Sequence, residues 1–183
     1  MTAHIALLRG VNVGGRNMIA MPDLRSLFSK LGLTGARSLL QSGNIVFESA
    51  GRTAMELERL LGAETERRLK VQTAYFVRNV DEWKKIISVN PLPNEAKNDP
   101  SRLLVIFLEK TPAGKDLKAL QASITGPEIV RTMGRQAYVA YPTGIGRSKL
   151  TTAEIEKKLG SRGTCRNWNT VLKLLALAEA PAS

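Results

Sequence analysis

Residues 103–108 read Leu103-Leu104-Val105-Ile106-Phe107-Leu108, six apolar side chains without a polar one between them. A strand sends successive side chains to opposite faces, so an unbroken apolar run marks a strand covered on both sides. Near the N-terminus Ile5-Ala6-Leu7-Leu8 has the same character. Each of these runs opens one half of the 183-residue chain.

Working outward from Ile5–Leu8, the chain enters Arg9-Gly10-Val11-Asn12-Val13-Gly14-Gly15-Arg16, too glycine-rich and polar to continue as sheet. Pro22 suits a first helical turn, Leu24, Leu27, Phe28 and Leu31 recur at helical spacing, and Gly32 supplies the stop. Arg37-Ser38-Leu39-Leu40, Gln41-Ser42-Gly43-Asn44 and Ile45-Val46-Phe47 form either a hairpin or one strand bulged at Gly43. A helix through Leu57, Leu60 and Leu61 and a strand over 71–77 complete the order β-α-β(β)-α-β, the ferredoxin-like pattern.

Trp83, Ile86 and Ile87 mark a linking helix over 80–89, and the proline-containing stretch 90–101 reads as a surface linker. The second half repeats the order: strand 103–108, a helix through Leu117 and Leu120, and strands 129–133 and 137–141 hairpinned at Gly134-Arg135. A helix is expected from about Thr151. Another is expected from about Arg166, in the place of the last strand. No residue-level repeat between the halves is visible. The expectation is an α+β protein of two tandem ferredoxin-like subdomains, 1–79 and 102–178, joined by the linking helix and linker 80–101 and carrying an additional C-terminal helix.

The chain holds 27 Lys and Arg against 16 Asp and Glu, a net charge of +11. Residues 131–174 alone hold nine basic and two acidic side chains. A field of that sign draws phosphates and other polyanions. One cysteine and one histidine exclude a disulfide framework and a Cys/His zinc site. No apolar run reaches membrane-spanning length, and Met1-Thr2-Ala3-His4 shows no basic, apolar leader, so a cytoplasmic protein is expected.

Four polar clusters stand out. Tyr141-Pro142-Thr143-Gly144-Ile145-Gly146-Arg147-Ser148-Lys149-Leu150-Thr151 leads from a strand into a helix whose start is anchored by the capping spacing of Thr151 and Glu154. Loop and helix amides flanked by Arg147 and Lys149 would suffice to cradle an oxyanion. The Walker spacing G-x-x-x-x-G-K-[ST] is absent. In Thr164-Cys165-Arg166-Asn167-Trp168-Asn169-Thr170-Val171-Leu172-Lys173, helical spacing puts Trp168, Val171, Leu172 and Leu175 on a buried stripe. Arg166, Asn169 and Lys173 then share another face. Arg9 through Arg16 combines a flexible backbone with two guanidinium groups but lacks the dinucleotide G-x-G-x-x-G spacing. Gln41-Ser42-Gly43-Asn44 interrupts an apolar strand with three hydrogen-bonding side chains. Turn and cap chemistry accounts for each cluster singly. Together they suggest a distributed surface for an anion.

No Ser-His-Asp or Cys-His arrangement can be built around His4, and no carboxylate pair for acid–base work is apparent. No catalytic residue, metal site or cofactor is therefore assigned. Cys165 reads as a partly buried, inert thiol.

Leu8–Gly15, Gln41–Phe47, Tyr141–Leu150 and Arg166–Val171 together resemble the bacterial domain-of-unknown-function family 1697. The resemblance runs in the same motif order from about residue 3 to residue 177, with Leu92 and Gly163 as minor departures. It implies two ferredoxin-like subdomains and no established activity.

The leading expectation is a non-catalytic module binding a phosphate-bearing ligand, nucleic acid or a nucleotide. Its candidate residues are Arg9, Asn12, Arg16, Gln41, Ser42, Asn44, Gly146, Arg147, Ser148, Lys149, Arg166, Asn167, Asn169 and Lys173. The alternative is a small-molecule enzyme acting on an anionic substrate in a pocket between the subdomains, with Gln41, Asn44 and Asn169 orienting it. A third reading is dimerisation through an exposed sheet edge.

Overall fold

A computed structural model describes residues 1–181. Backbone contacts divide the chain into two units: residues 1–84 with the C-terminal segment from Lys173, and residues 85–172.

In unit 1 the order is β1 (Thr2–Leu8), α1 (Met21–Lys30), β2 (Thr34–Ser38), β3 (Asn44–Ser49), α2 (Ala54–Leu69) and β4 (Tyr75–Asn79). The sheet runs β2-β3-β1-β4 with every neighbouring pair antiparallel. Residues 37–47 are thus a hairpin. Ala6, Leu8, Ile45, Phe47, Tyr75 and Val77 meet Leu24, Leu27 and Phe28 of α1 and Leu57 and Leu61 of α2 in one core. The Phe28 ring stands edge-on to Phe47 with centroids 5.0 Å apart. Local chemistry sets the helix ends. Pro22 sits in the first turn of α1, and Thr53 and Glu56 close a reciprocal capping box on α2.

Unit 2 repeats this plan with β5 (Leu103–Leu108), α5 (Gly114–Ser123), β6 (Ile129–Met133), β7 (Gln136–Ala140), α6 (Thr152–Leu159) and β8 (Gly163–Asn167). Its sheet runs β6-β7-β5-β8, again wholly antiparallel. Leu104, Ile106, Leu108, Val139 and Tyr141 pack against Leu120 of α5 and Ile155 and Leu159 of α6. Thr151 caps α6 by accepting the Glu154 amide, and Gly160 ends it in the left-handed conformation. Both units are therefore ferredoxin-like. The remaining helices are α3 (Val80–Ser88), α4 (Pro93–Asn98) and the C-terminal α7 (Trp168–Glu179).

The sequence expectation differs from the structure in four places. The expected linker contains α4 and a 3-10 turn at Pro100–Arg102. The strand expected over 71–77 is shifted to Tyr75–Asn79. Unit 2 has its last strand, because Gly163-Thr164-Cys165-Arg166-Asn167 pairs along β5 from Leu108 to Leu104. That segment is too polar to announce itself, and the ladder imposed by β5 overrides its weak propensity. Gly163 permits the approach, since a Cβ there would lie 2.7 Å from the Phe107 carbonyl oxygen. Finally, α7 starts at Trp168, so Arg166 does not share a helical face with Asn169 and Lys173. Leu174 takes the buried place expected of Leu172, which is 42% exposed.

The structure also reveals a residue-level repeat. Arg78 lies opposite Ile5 on β4, and Arg166 lies opposite Val105 on β8. Each arginine is followed by an asparagine that caps the next helix, Asn79 accepting the Glu82 amide and Asn167 the Thr170 amide.

Two consequences of this packing are measurable. Gly43 has φ +71°, and a Cβ there would stand 2.6 Å from Val11 Cγ2 and 2.8 Å from Leu8 Cβ. Gly43→Ala should therefore cost about 2–4 kcal/mol in urea unfolding, combining left-handed strain with overpacking. All three tyrosines are buried, and burial pushes the phenols of Tyr75, Tyr138 and Tyr141 up. A phenol whose folded pKa is raised contributes stability below its unfolded value, about 10, and loses it as pH climbs further. Stability should fall above that pH, with phenolate absorbance appearing only as the far-UV signal of the fold is lost.

Candidate functional site

The Arg9–Arg16 and Gln41–Asn44 clusters meet in unit 1. The Leu8 amide donates to Gly43 O at 2.8 Å, and Asn12 Nδ2 donates to Gln41 O at 2.7 Å and to Ile19 O at 2.9 Å. Asn12 Oδ1 accepts the Ile19 amide at 2.8 Å. Asn12 takes a left-handed conformation, φ 54°, which asparagine tolerates better than most residues. Asn44 is fully buried and donates to Leu39 O and Ser42 Oγ. Asn12 thus ties the two loops together with its side-chain amide, and Asn44 braces the second loop internally. Arg9, Arg16, Gln41 and Ser42 are exposed on those loops. Val13, Met18 and Leu40, each more than 60% exposed, stand on the same two loops, and the sequence reading does not single them out.

In unit 2 the start of the Thr164–Lys173 cluster, Thr164–Asn167, is built into the sheet. Arg166 Nη1 donates to Thr164 Oγ1 at 2.9 Å and Cys165 O at 2.7 Å, and burial holds its guanidinium down to about 10. Desolvation is the cause, outweighing the opposing effect of Cys165. Burial likewise pushes the Cys165 thiol up, against the pull of Arg166, which accords with an inert side chain. Asn167 is spent on the α7 cap, and Asn169 is half-buried on the first turn of that helix. Lys173 is exposed and belongs to unit 1.

The Tyr141–Thr151 cluster borders a concavity of about 480 Å³ in unit 2. Residues 123–128, between α5 and β6, form one wall. Arg147, Lys149 and Leu150 form another, and Glu154 and Lys158 reach it from α6. Gly146 lies in the 3-10 turn Ile145–Arg147 that brings Arg147 to the rim. The side chains of Arg147 and Lys149 are exposed and make no hydrogen bond or ion pair among the described residues. Lys158 stands 3.7 Å from Glu154.

The expected cradle of loop amides is largely committed. The amides of Arg147 and Ser148 close the 3-10 turn onto Gly144 O and Ile145 O. Those of Leu150 and Glu154 donate to Ser148 Oγ and Thr151 Oγ1. Ser148 donates its own proton to Glu128 Oε1 at 2.5 Å. Sequence reasoning missed Glu128 and Lys158, because 20 residues of chain separate Glu128 from Ser148 and nothing local signals their meeting.

The strand order and connections of each unit define the class, an α+β protein of two ferredoxin-like units. A family model described as "Protein of unknown function (DUF1697)" matches residues 1–138, and the chain belongs to that family. The clusters from Tyr141 onward lie beyond the matched span. No curated protein matches the chain. Among solved structures, a conserved bacterial protein, SP0830 from Streptococcus pneumoniae, is similar over 97% of this chain and 99% of that one. The TM-score is 0.69 and the identity 22%, a likeness of fold. Among the described residues no helix is long and apolar enough to cross a membrane.

The unit 1 geometry makes Asn12 a structural residue. Asn12→Ala removes three hydrogen bonds and leaves alanine in left-handed backbone, so it should lower unfolding free energy by about 3 kcal/mol. Gln41→Ala should change it by less than about 0.5 kcal/mol, since only the Gln41 backbone carbonyl takes part. Chemical denaturation of both variants checks the contrast.

Proposed function

We propose that this protein binds a phosphate-bearing ligand, with Arg147 and Lys149 of unit 2 as its principal cationic contacts. The carrying observation is their state: two exposed cations without hydrogen-bond or ion-pair partners among the described residues border a concavity of about 480 Å³. Its size falls in the usual range for small-molecule sites, roughly 300–1,000 Å³. Lys158 adds a third cation on the same rim. Guanidinium and ammonium groups match phosphate oxygens in charge and donor number, Arg as a fork and Lys as a point charge. Arg166 contributes field rather than contact, because its donors are engaged within β8.

The test is titration with inorganic phosphate and with a short DNA duplex across a range of salt. Arg147→Ala and Lys149→Ala should each weaken phosphate binding by about tenfold or more, the worth of one charged hydrogen bond. If duplex DNA is the ligand, the double variant should reduce the slope of log K against log salt by about 1.8, near 0.9 for each phosphate no longer neutralised. Wild-type binding that is unmoved by both substitutions would overturn the proposal.

A further inference from the structure

The cations of this concavity do not stand alone. Glu128 and Glu154 line it beside Arg147, Lys149 and Lys158. Glu154 has Lys158 as its counterion at 3.7 Å. Glu128 accepts a proton from Ser148 Oγ, a bond that uses one oxygen of a carboxylate able to accept several. Gly126 leaves it room, since a Cβ at residue 126 would lie 2.3 Å from Glu128 Oε2 and a larger residue there would displace the carboxylate.

A polyphosphate or nucleic-acid backbone presents acceptors and negative charge throughout, so Glu128 repels it. A ligand that carries hydroxyl or amino donors as well as a phosphate meets complementary groups for both. Ile124 and Leu150 add apolar lining, and the concavity holds far more than a bare phosphate. We infer that the pocket takes a small phosphomonoester whose body carries hydroxyl or amino donors, phosphate on Arg147 and Lys149, donors on Glu128. This rests on the anion-binding reading above and narrows it to a class of ligand. Ser148 fits the arrangement as a positioning residue. It holds Glu128 Oε1 and accepts the Leu150 amide at 3.0 Å, tying the carboxylate to the segment that carries both cations.

The test compares inorganic phosphate, methyl phosphate and ribose 5-phosphate by calorimetry on the full chain, wild type against Glu128→Gln. Wild type should prefer ribose 5-phosphate to methyl phosphate by about tenfold, the worth of hydrogen bonds to a charged acceptor. Glu128→Gln is isosteric and keeps an acceptor for Ser148, so it should fold, which circular dichroism verifies. It should tighten inorganic and methyl phosphate about threefold by removing a like charge, and weaken ribose 5-phosphate about fivefold or more. Opposite signs in one variant are the signature. If all three ligands tighten together, or if wild type shows no preference for the sugar phosphate, the inference is overturned while anion binding stands. If none of the three binds, or binding ignores Arg147→Ala and Lys149→Ala, the anion-binding reading itself falls.

Discussion

Each unit depends on one strand that is hydrogen-bonded along both edges and buried on both faces. β1 lies between β3 and β4, and β5 between β7 and β8. Every residue of β5, and Ile5 to Leu8 of β1, is buried. Such a strand cannot leave a backbone amide or carbonyl unpaired without a cost of about 1–3 kcal/mol for each group. Its neighbours are therefore recruited whatever their own preferences. The polar segment Gly163–Asn167 is a strand because β5 needs an edge partner, and the arginines of β4 and β8, Arg78 buried and Arg166 half-buried, are placed by the same demand. Once placed there, each must be satisfied locally. Arg78 Nη1 donates to Val77 O and lies 3.5 Å from Glu58, whose Oε1 accepts the Val77 amide.

This hierarchy explains what the sequence disclosed. Apolar periodicity exposed Ile5–Leu8, Leu103–Leu108, the stripe of α1 and the hairpin 129–140, because those elements are stabilised by what they bury. Capping chemistry placed the start of α6 at Thr151. The polar strand β8 stayed hidden, since its stability comes from a partner more than 50 residues earlier in the chain. Reading 166–173 as one helix then gave Leu172 a buried place that Leu174 takes, and put Arg166 on a face it does not occupy.

Candidate residues sorted themselves by a different physical rule. A polar side chain in a loop is either an internal strut or an outward donor, and composition does not distinguish them. Asn12, Asn44, Ser148 and Asn167 are struts, their hydrogen bonds spent on backbone groups, on Ser42 or on Glu128. Arg147 and Lys149 are donors, and the rim they occupy was legible from charge and glycine spacing. The opposing wall at 123–128 was not, because only the packing of α5 and β6 brings it there. With Glu128 and Glu154 lining it beside the cations, the concavity is not uniformly basic.

The Arg-Asn pair at the end of β4 and of β8 has a consequence for anyone comparing relatives. The chain carries its own internal control, two versions of one architecture under different demands. What both halves keep is an arginine at the same register of the last strand and an asparagine cap after it. They diverge in their connections: the long one is residues 9–20 in one half and residues 141–151 in the other, while their counterparts at 109–113 and 50–53 are short. One plan thus accommodates a long loop at either of two places, after its first strand or after its third.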